Sequence, residues 1–289
     1  MDELSKEIAS LPSDVLSKAY DDALHPVLSS VGDTLSLVPR TVGVLLGPWK
    51  KWVVNGESNI EEAIRQIEEK MEDVPEDCFC EPAQNVVVPA IQQLSYSYDS
   101  QDLRGLYVNL LASSMDKRVS PLVQPSFVSI IGQLTPDEAK MMSWLSEGLG
   151  KDHIPVIDLR VVEDDDMPIK ARWRVLCENY TNVFDAIVQC PENVSLYLNN
   201  LERLKLLSEE TYCYEGEDDY LGIEDSDRIR NIKKDNTPSD GWRFDCVHHV
   251  FRLTPFGKLF IKCCVWSSRQ CWYDSILGGL LMGECVGQI

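Results

Sequence analysis

The side chains able to do chemistry are ten cysteines, four histidines and a large excess of carboxylates. Their spacing matches no metal or catalytic motif. Cys78-Phe79-Cys80 is C-x-C, Cys263-Cys264 is an adjacent pair, Cys271 follows after six residues, and C-x-x-C is absent. His248 and His249 are neighbours on an expected strand, so they should face opposite sides and not share an ion. The chain holds no phosphate loop, no dinucleotide fingerprint, no nucleophile elbow and no H-E-x-x-H pair. His25 precedes Pro26 and reads as a capping or packing residue; Glu163-Asp164-Asp165-Asp166 reads as solvated loop. Asp158 and Glu178 are carboxylates that a fold could bring together, as it could many other pairs. The sequence therefore predicts no catalytic residue, no metal ligand and no cofactor, and reduced thiols packed as small hydrophobes.

The elements that would position these groups follow from periodicity. Ser13-Asp14 open a helical stretch through Val31, broken at Pro26. Ser58-Asn59 cap a helix to Met71 with Ile60, Ile64 and Ile67 on one face. Val86 to Leu94 forms an apolar face interrupted by Pro89; Leu103 through Met115 recurs at helical spacing; Phe127 to Leu134 follows a Pro-containing turn. Thr135-Pro136-Asp137-Glu138 is a compact helix start, with Met141, Met142 and Trp144 read as core. Ile154 to Val162 and Trp242 to Leu253 read as strands. Trp173 to Tyr180 and Asn182 to Val188 read as helical, Glu192 to Leu207 as a well-patterned helix. Glu209 to Asp225, with eight acids and no base, reads as a long mobile loop, and Thr254-Pro255 starts the last helix. The expected fold is mainly α: an N-terminal helical domain over 1–150, then a winged-helix-like α+β domain over 151–289.

Composition narrows the partners. In 289 residues, 27 basic side chains face 47 acidic ones, a formal charge of −20, which disfavours a surface that grips phosphate throughout. With no signal peptide and no apolar run of membrane-spanning length, the expected location is cytoplasmic, with membrane association on activation. One stretch carries that second expectation. Leu37, Val42, Val44, Leu45 and Leu46 form an apolar centre, with Trp49, Lys50, Lys51 and Trp52 at its edge. These are the ingredients of an interfacial anchor, and equally of a buried central helix.

Ala19-Tyr20-Asp21-Asp22-Ala23-Leu24-His25-Pro26 resembles the opening of the bacterial abortive-infection alpha family. Leu103 to Asp116, Pro125-Ser126-Phe127 and Gln133 to Lys140 are similar to that family's central block, in order and spacing. Leu198 to Leu207 looks like the third helix of a winged helix, with Arg252-Leu253 and Thr254-Pro255-Phe256-Gly257 closing its wing. Asn199, Asn200 and Arg203 would lie on that helix's contact face. Its surroundings offer two cations, Arg203 and Lys205, against four anions, Glu192, Glu202, Glu209 and Glu210. Nucleic acid is thus not the expected partner; a protein partner or self-association is. The resemblance implies a non-enzymatic antiphage protein acting by protein contacts, with membrane disruption as a route. An acidic winged-helix adaptor that restrains a toxin is the alternative, and a cryptic metal-dependent nuclease a third.

Overall fold

A computed structural model describes residues 58–72, 74–96, 100–147, 153–164, 172–210 and 218–265. The stretch holding Leu37 to Trp52, the opening helix and the tail beyond 265 lie outside the described residues.

Five helices come first: α1 (Ser58–Met71), α2 (Gln84–Tyr96), α3 (Gln101–Ser114), α4 (Ser126–Ile131) and α5 (Pro136–Ser146). Their apolar stripes converge. Ile64 and Ile67 of α1, Val87 and Ala90 of α2, Leu110 and Leu111 of α3, Phe127 of α4 and Met141 and Met142 of α5 are all buried together. At roughly 1.5–3 kcal/mol per fully buried large side chain, this burial dominates the stability of the helical body. Pro89 sits inside α2 rather than dividing it, since the removed N–H costs one bond while Val86, Val87, Ala90 and Leu94 still bury their face. Helix α5 begins with a complete capping box, Thr135 and Glu138 each satisfying the other's backbone N–H.

The sheet follows: β1 (His153–Glu163), β2 (Trp173–Tyr180), α6 (Val194–Arg203), β3 (Leu207–Glu210), α7 (Asp218–Glu224), α8 (Asp227–Asp235), β4 (Trp242–Leu253) and α9 (Pro255–Cys264). All pairings are antiparallel, in the order β2-β1-β4-β3. One sheet face buries Ile154, Val156, Phe251 and Leu253 against the helices; the other buries Ile157, Leu159 and Val250 under Tyr220 and Ile223 of α7 and Ile229 of α8.

Four expectations need correction. The helix expected over Glu192 to Leu207 runs only from Val194 to Arg203; Lys205 at φ 61° turns the chain, and Leu207 opens β3. Trp173–Tyr180 is a strand, not a helix. Register shifts on either side of Leu159 give β2 extra residues against β1, so its apolar side chains lose the period of two and imitate helical spacing. Asn182 to Val188 is a run of turns that buries Phe184 and Val188. The acidic segment is not all loop: Glu209 and Glu210 pair in β3, and Asp218–Glu224 is helical because Tyr220 and Ile223 have sheet to bury against.

Helix α9 returns to the helical body. Phe256 and Phe260 pack on Phe127 with ring centroids 5.4 Å apart in each pair. Asn109 and Ser113 of α3 donate to the Cys264 and Cys263 carbonyls at 2.9 Å, closing two C-terminal acceptors that the helix itself leaves open. Burial pushes the Cys263 thiol up to about 12 and Cys264 well above its ordinary value, so both are held as neutral thiols.

Candidate functional site

The polar residues gather at the seam between α5, α6 and the sheet. The first turn of α5 places two buried acids there. Asp137 accepts the Gln189 and Cys190 backbone N–H groups (2.9 and 3.1 Å) and the Tyr197 hydroxyl (3.2 Å), with Lys140 Nζ at 3.4 Å. Burial alone would raise the Asp137 carboxyl; the two N–H donors, Lys140 and Tyr197 outweigh it and hold the group below its ordinary value. Glu138 uses one oxygen on the Thr135 N–H (2.6 Å) and the other on Asn200 Nδ2 (2.7 Å).

Helix α6 faces these acids because Val194, Leu198 and Leu201 bury its apolar stripe, leaving the asparagines at its flanks. Asn200 Nδ2 also donates to the Gln133 carbonyl at 3.1 Å. Arg203 donates to Asn200 Oδ1 (2.7 and 3.0 Å) and to Gln133 Oε1 (3.1 Å). Asn199 accepts from Asn179 Nδ2 at 3.1 Å. The three residues assigned to a contact face are therefore brought together, and each is engaged within the chain.

From Asn179 the network enters the sheet. Asn179 adopts φ 51°, a left-handed conformation that asparagine tolerates better than most residues, and its N–H reaches Asp158 Oδ1 at 2.8 Å. Asp158 Oδ1 lies 3.3 Å from His249 Nε2, an ion-pair distance whose alignment falls short of a hydrogen bond. His249 Nδ1 meets Glu209 Oε1 at 2.6 Å. Burial would lower the His249 pKa; the two carboxylates overcome it and raise it. Asp158 is lowered, against its burial, by His249 and the Asn179 N–H. A buried imidazolium between two carboxylates is the resulting charge state below its raised pKa.

His248, one residue earlier, points to the other face as its strand position requires: it stacks on Tyr220 (4.1 Å, 7°) and meets Glu224 Oε1 at 2.5 Å. Among the described residues no three His, Cys, Asp or Glu side chains converge as metal ligands. Also among them, no helix is long and apolar enough to cross a membrane.

Sequence reading recognised Asp137 and Glu138 as a helix start and missed their second task. The signal was thin: a partner's N–H at 189–190 leaves no trace in local spacing. The Asp158–His249–Glu209 triplet was equally hidden, since three strands contribute one residue each.

A family model described as abortive infection alpha matches residues 55–264. No curated protein matches the chain. A solved structure of an uncharacterized protein from the hydrocarbon-degrading marine bacterium Alcanivorax borkumensis SK2 is 18% identical, over 50% of this chain and 92% of that one. Its TM-score of 0.29 is too low for the likeness to carry an argument.

Proposed function

Since the chain belongs to the abortive infection alpha family, whose name places it in defence against phage, we propose that it works as a non-enzymatic effector through protein contacts. The observation that carries the reading is the seam. Asn200 and Arg203 spend their polar groups on Gln133 and Glu138, so α6 acts as a strut that fixes the sheet to the helical body. A strut of this kind favours a rigid body that presents surfaces to a partner, a second copy included, over a helix held free to read bases.

A winged-helix plan is part of the proposal. Three features support it: the antiparallel order β1-β4-β3, a helix directly before β3, and helix α9 directly after β4. In that plan β2 is an added edge strand, and α7 and α8 fill the wing. The membrane route remains with Leu37, Val42, Val44, Leu45, Leu46, Trp49, Lys50, Lys51 and Trp52, whose composition suits insertion at an interface. It is the cytoplasmic form that would expose them on activation.

The test is infection of a phage-sensitive bacterium expressing the full chain. Growth arrest of infected cells, with plating efficiency reduced at least about tenfold, is expected; unchanged plating and growth would overturn the defence role. A liposome-leakage assay separates the routes: leakage by the wild type that Leu45→Asp with Leu46→Asp abolishes supports membrane attack, and equal inertness of both proteins removes it.

A further inference from the structure

The strongest unassigned feature is a cationic edge on a chain whose overall charge is −20. Arg228, Arg230, Lys233 and Lys234 fall within seven residues of α8 without an intervening acid. Arg230 pairs with Asp227, 3.3 Å away, while no ion pair among the described residues engages Arg228, Lys233, Lys234 or Arg174. The helix lies along edge strand β2: Arg228 sits 5.4 Å over the Tyr180 ring at one end of the strand. At the other end, Asn236 and Thr237, which follow α8, border a groove with Arg174. From Tyr180 back to Arg174 the strand runs alongside Ile157 to Val161 of β1, four residues or about 13 Å.

The groove has a volume of about 230 Å³ and is lined by Val161, Arg174, Asn236, Thr237, Ser239 and Trp242. Its chemistry is mixed in a specific way. Arg174 supplies an exposed guanidinium, and Asn236 and Ser239 supply an amide and a hydroxyl. Trp242 supplies an indole, with the Arg172 guanidinium 5.8 Å from its ring centroid. Asn236 spends its NH₂ on the Ile232 carbonyl at 3.0 Å, which turns its oxygen to other use as an acceptor. A cation beside an aromatic face, with one donor and one acceptor nearby, suits a phosphate joined to a planar heterocycle. The volume lies below that of a typical drug-sized pocket, so one nucleotide unit is the largest such ligand it admits.

We propose that this edge binds nucleotide units, the groove taking one base and its phosphate and Arg228, Lys233 and Lys234 taking phosphates further along a single strand. The inference is independent of the effector reading: it concerns the sheet's outer edge, not the seam, and a defence protein would use it on the sensing side. The opposite charge of the rest of the surface confines binding to this edge and keeps it modest, because the acidic body repels any longer polyanion.

The experiment uses the full chain with a fluorescein-labelled single strand of about 15 nucleotides, as DNA and as RNA, and with a free nucleoside monophosphate. Strand binding is read by anisotropy and mononucleotide binding by quenching of tryptophan fluorescence. Binding of a strand that weakens about fiftyfold between roughly 50 and 200 mM salt, as four phosphate contacts on a single strand require, supports the proposal. Arg174→Glu and Lys234→Glu should each weaken it at least about tenfold, whereas Lys117→Glu, an equal charge change on the helical body, should not. Thermal melts of each variant show that the fold is retained, and Arg174→Gln serves if the charge reversal unfolds the chain. Quenching by the mononucleotide without strand binding, lost in Arg174→Glu, supports the groove with a free nucleotide as its ligand. Absence of both, equal binding by Arg174→Glu and wild type, or binding only to vesicles rich in phosphatidylserine would overturn it.

Discussion

The helical body and the sheet layer bury polar groups in different ways. Inside the body, most polar side chains close loops and helix ends near them, Asn109 and Ser113 being the exceptions that reach across to α9. Asp116 is held by Arg118 two residues on, through Oδ2–Nη2 at 2.6 Å and the backbone N–H at 3.0 Å, and Ser114 bonds the Leu111 carbonyl at 2.6 Å. At the seam, contacts join residues far apart in sequence: Asp137 to Cys190, Glu138 to Asn200, Asp158 to His249. Apolar burial is non-directional and tolerates substitution of similar volume, whereas a buried network depends on every partner being present and correctly charged. The body thus provides stability, and the seam fixes how the sheet sits on it.

Substitutions can break that contrast. Phe127→Ala removes a fully buried ring packed on both Phe256 and Phe260, and should cost about 3–5 kcal/mol in urea denaturation. A loss below about 1 kcal/mol would show that α9 does not depend on the body. Gly257→Ala comes next. A Cβ there would stand 2.0 Å from the Leu206 carbonyl oxygen, and the Thr254 N–H and hydroxyl tether the same turn, so backbone has to move. The expected cost is about 1–3 kcal/mol, towards the upper end. Wild-type stability in this variant would mean the α6–β3 turn slides freely on α9.

At the seam, Asn200→Ala should cost about 1–3 kcal/mol, because it strands the buried Glu138 carboxylate, and Glu138→Ala about 0.5–1.5 kcal/mol, because Thr135 is exposed and half-buried Asn200 keeps the Gln133 carbonyl. A double-mutant cycle should give a coupling of at least about 0.5 kcal/mol. Strict additivity would show that the 2.7 Å contact between them contributes nothing and that α6 is held by its apolar stripe alone.

Legibility in the sequence follows the same division. Thr135-Pro136-Asp137-Glu138 declares its helix because capping is local, and β4 is recovered at Trp242–Leu253, as expected. Strand β2 was misread because its bulges put Trp173, Leu176, Cys177 and Tyr180 at helical intervals, a pattern that only pairing with β1 resolves. Helix α7 was hidden by its acids, since Tyr220 and Ile223 acquire a reason to fold only against the sheet. Asn199, Asn200 and Arg203 were correctly placed on one helix, yet their partners Asn179, Gln133 and Glu138 lie 20 to 70 residues away, beyond any local signal.

The smallest effect is the dependence on pH, and it discriminates best between the two regions. His249 is raised above its ordinary 6.5, so its contribution is complete below 6.5 and is lost as pH climbs through the higher folded value. Asp137 and Asp158 are lowered from 3.8, so theirs is complete above 3.8 and is lost as pH falls through the lower folded values. Urea midpoints should therefore be highest between about pH 5 and 6.5 and decline on both sides. The alkaline decline should stay within about 1 kcal/mol, because Asp158 and Glu209 are partly exposed and solvent screens the pair. His249→Gln should flatten the alkaline side and shrink the acid decline without abolishing it, because Asp158 loses a partner that lowers it while Asp137 keeps all of its own. Amide exchange measured across this alkaline range should, once corrected for the intrinsic rate, loosen in β1, β3 and β4 while α3 and α4 keep their protection. An equal loss in both regions would mean that the seam transmits the charge state of one histidine into the helical core, and that the division drawn between the two regions is false.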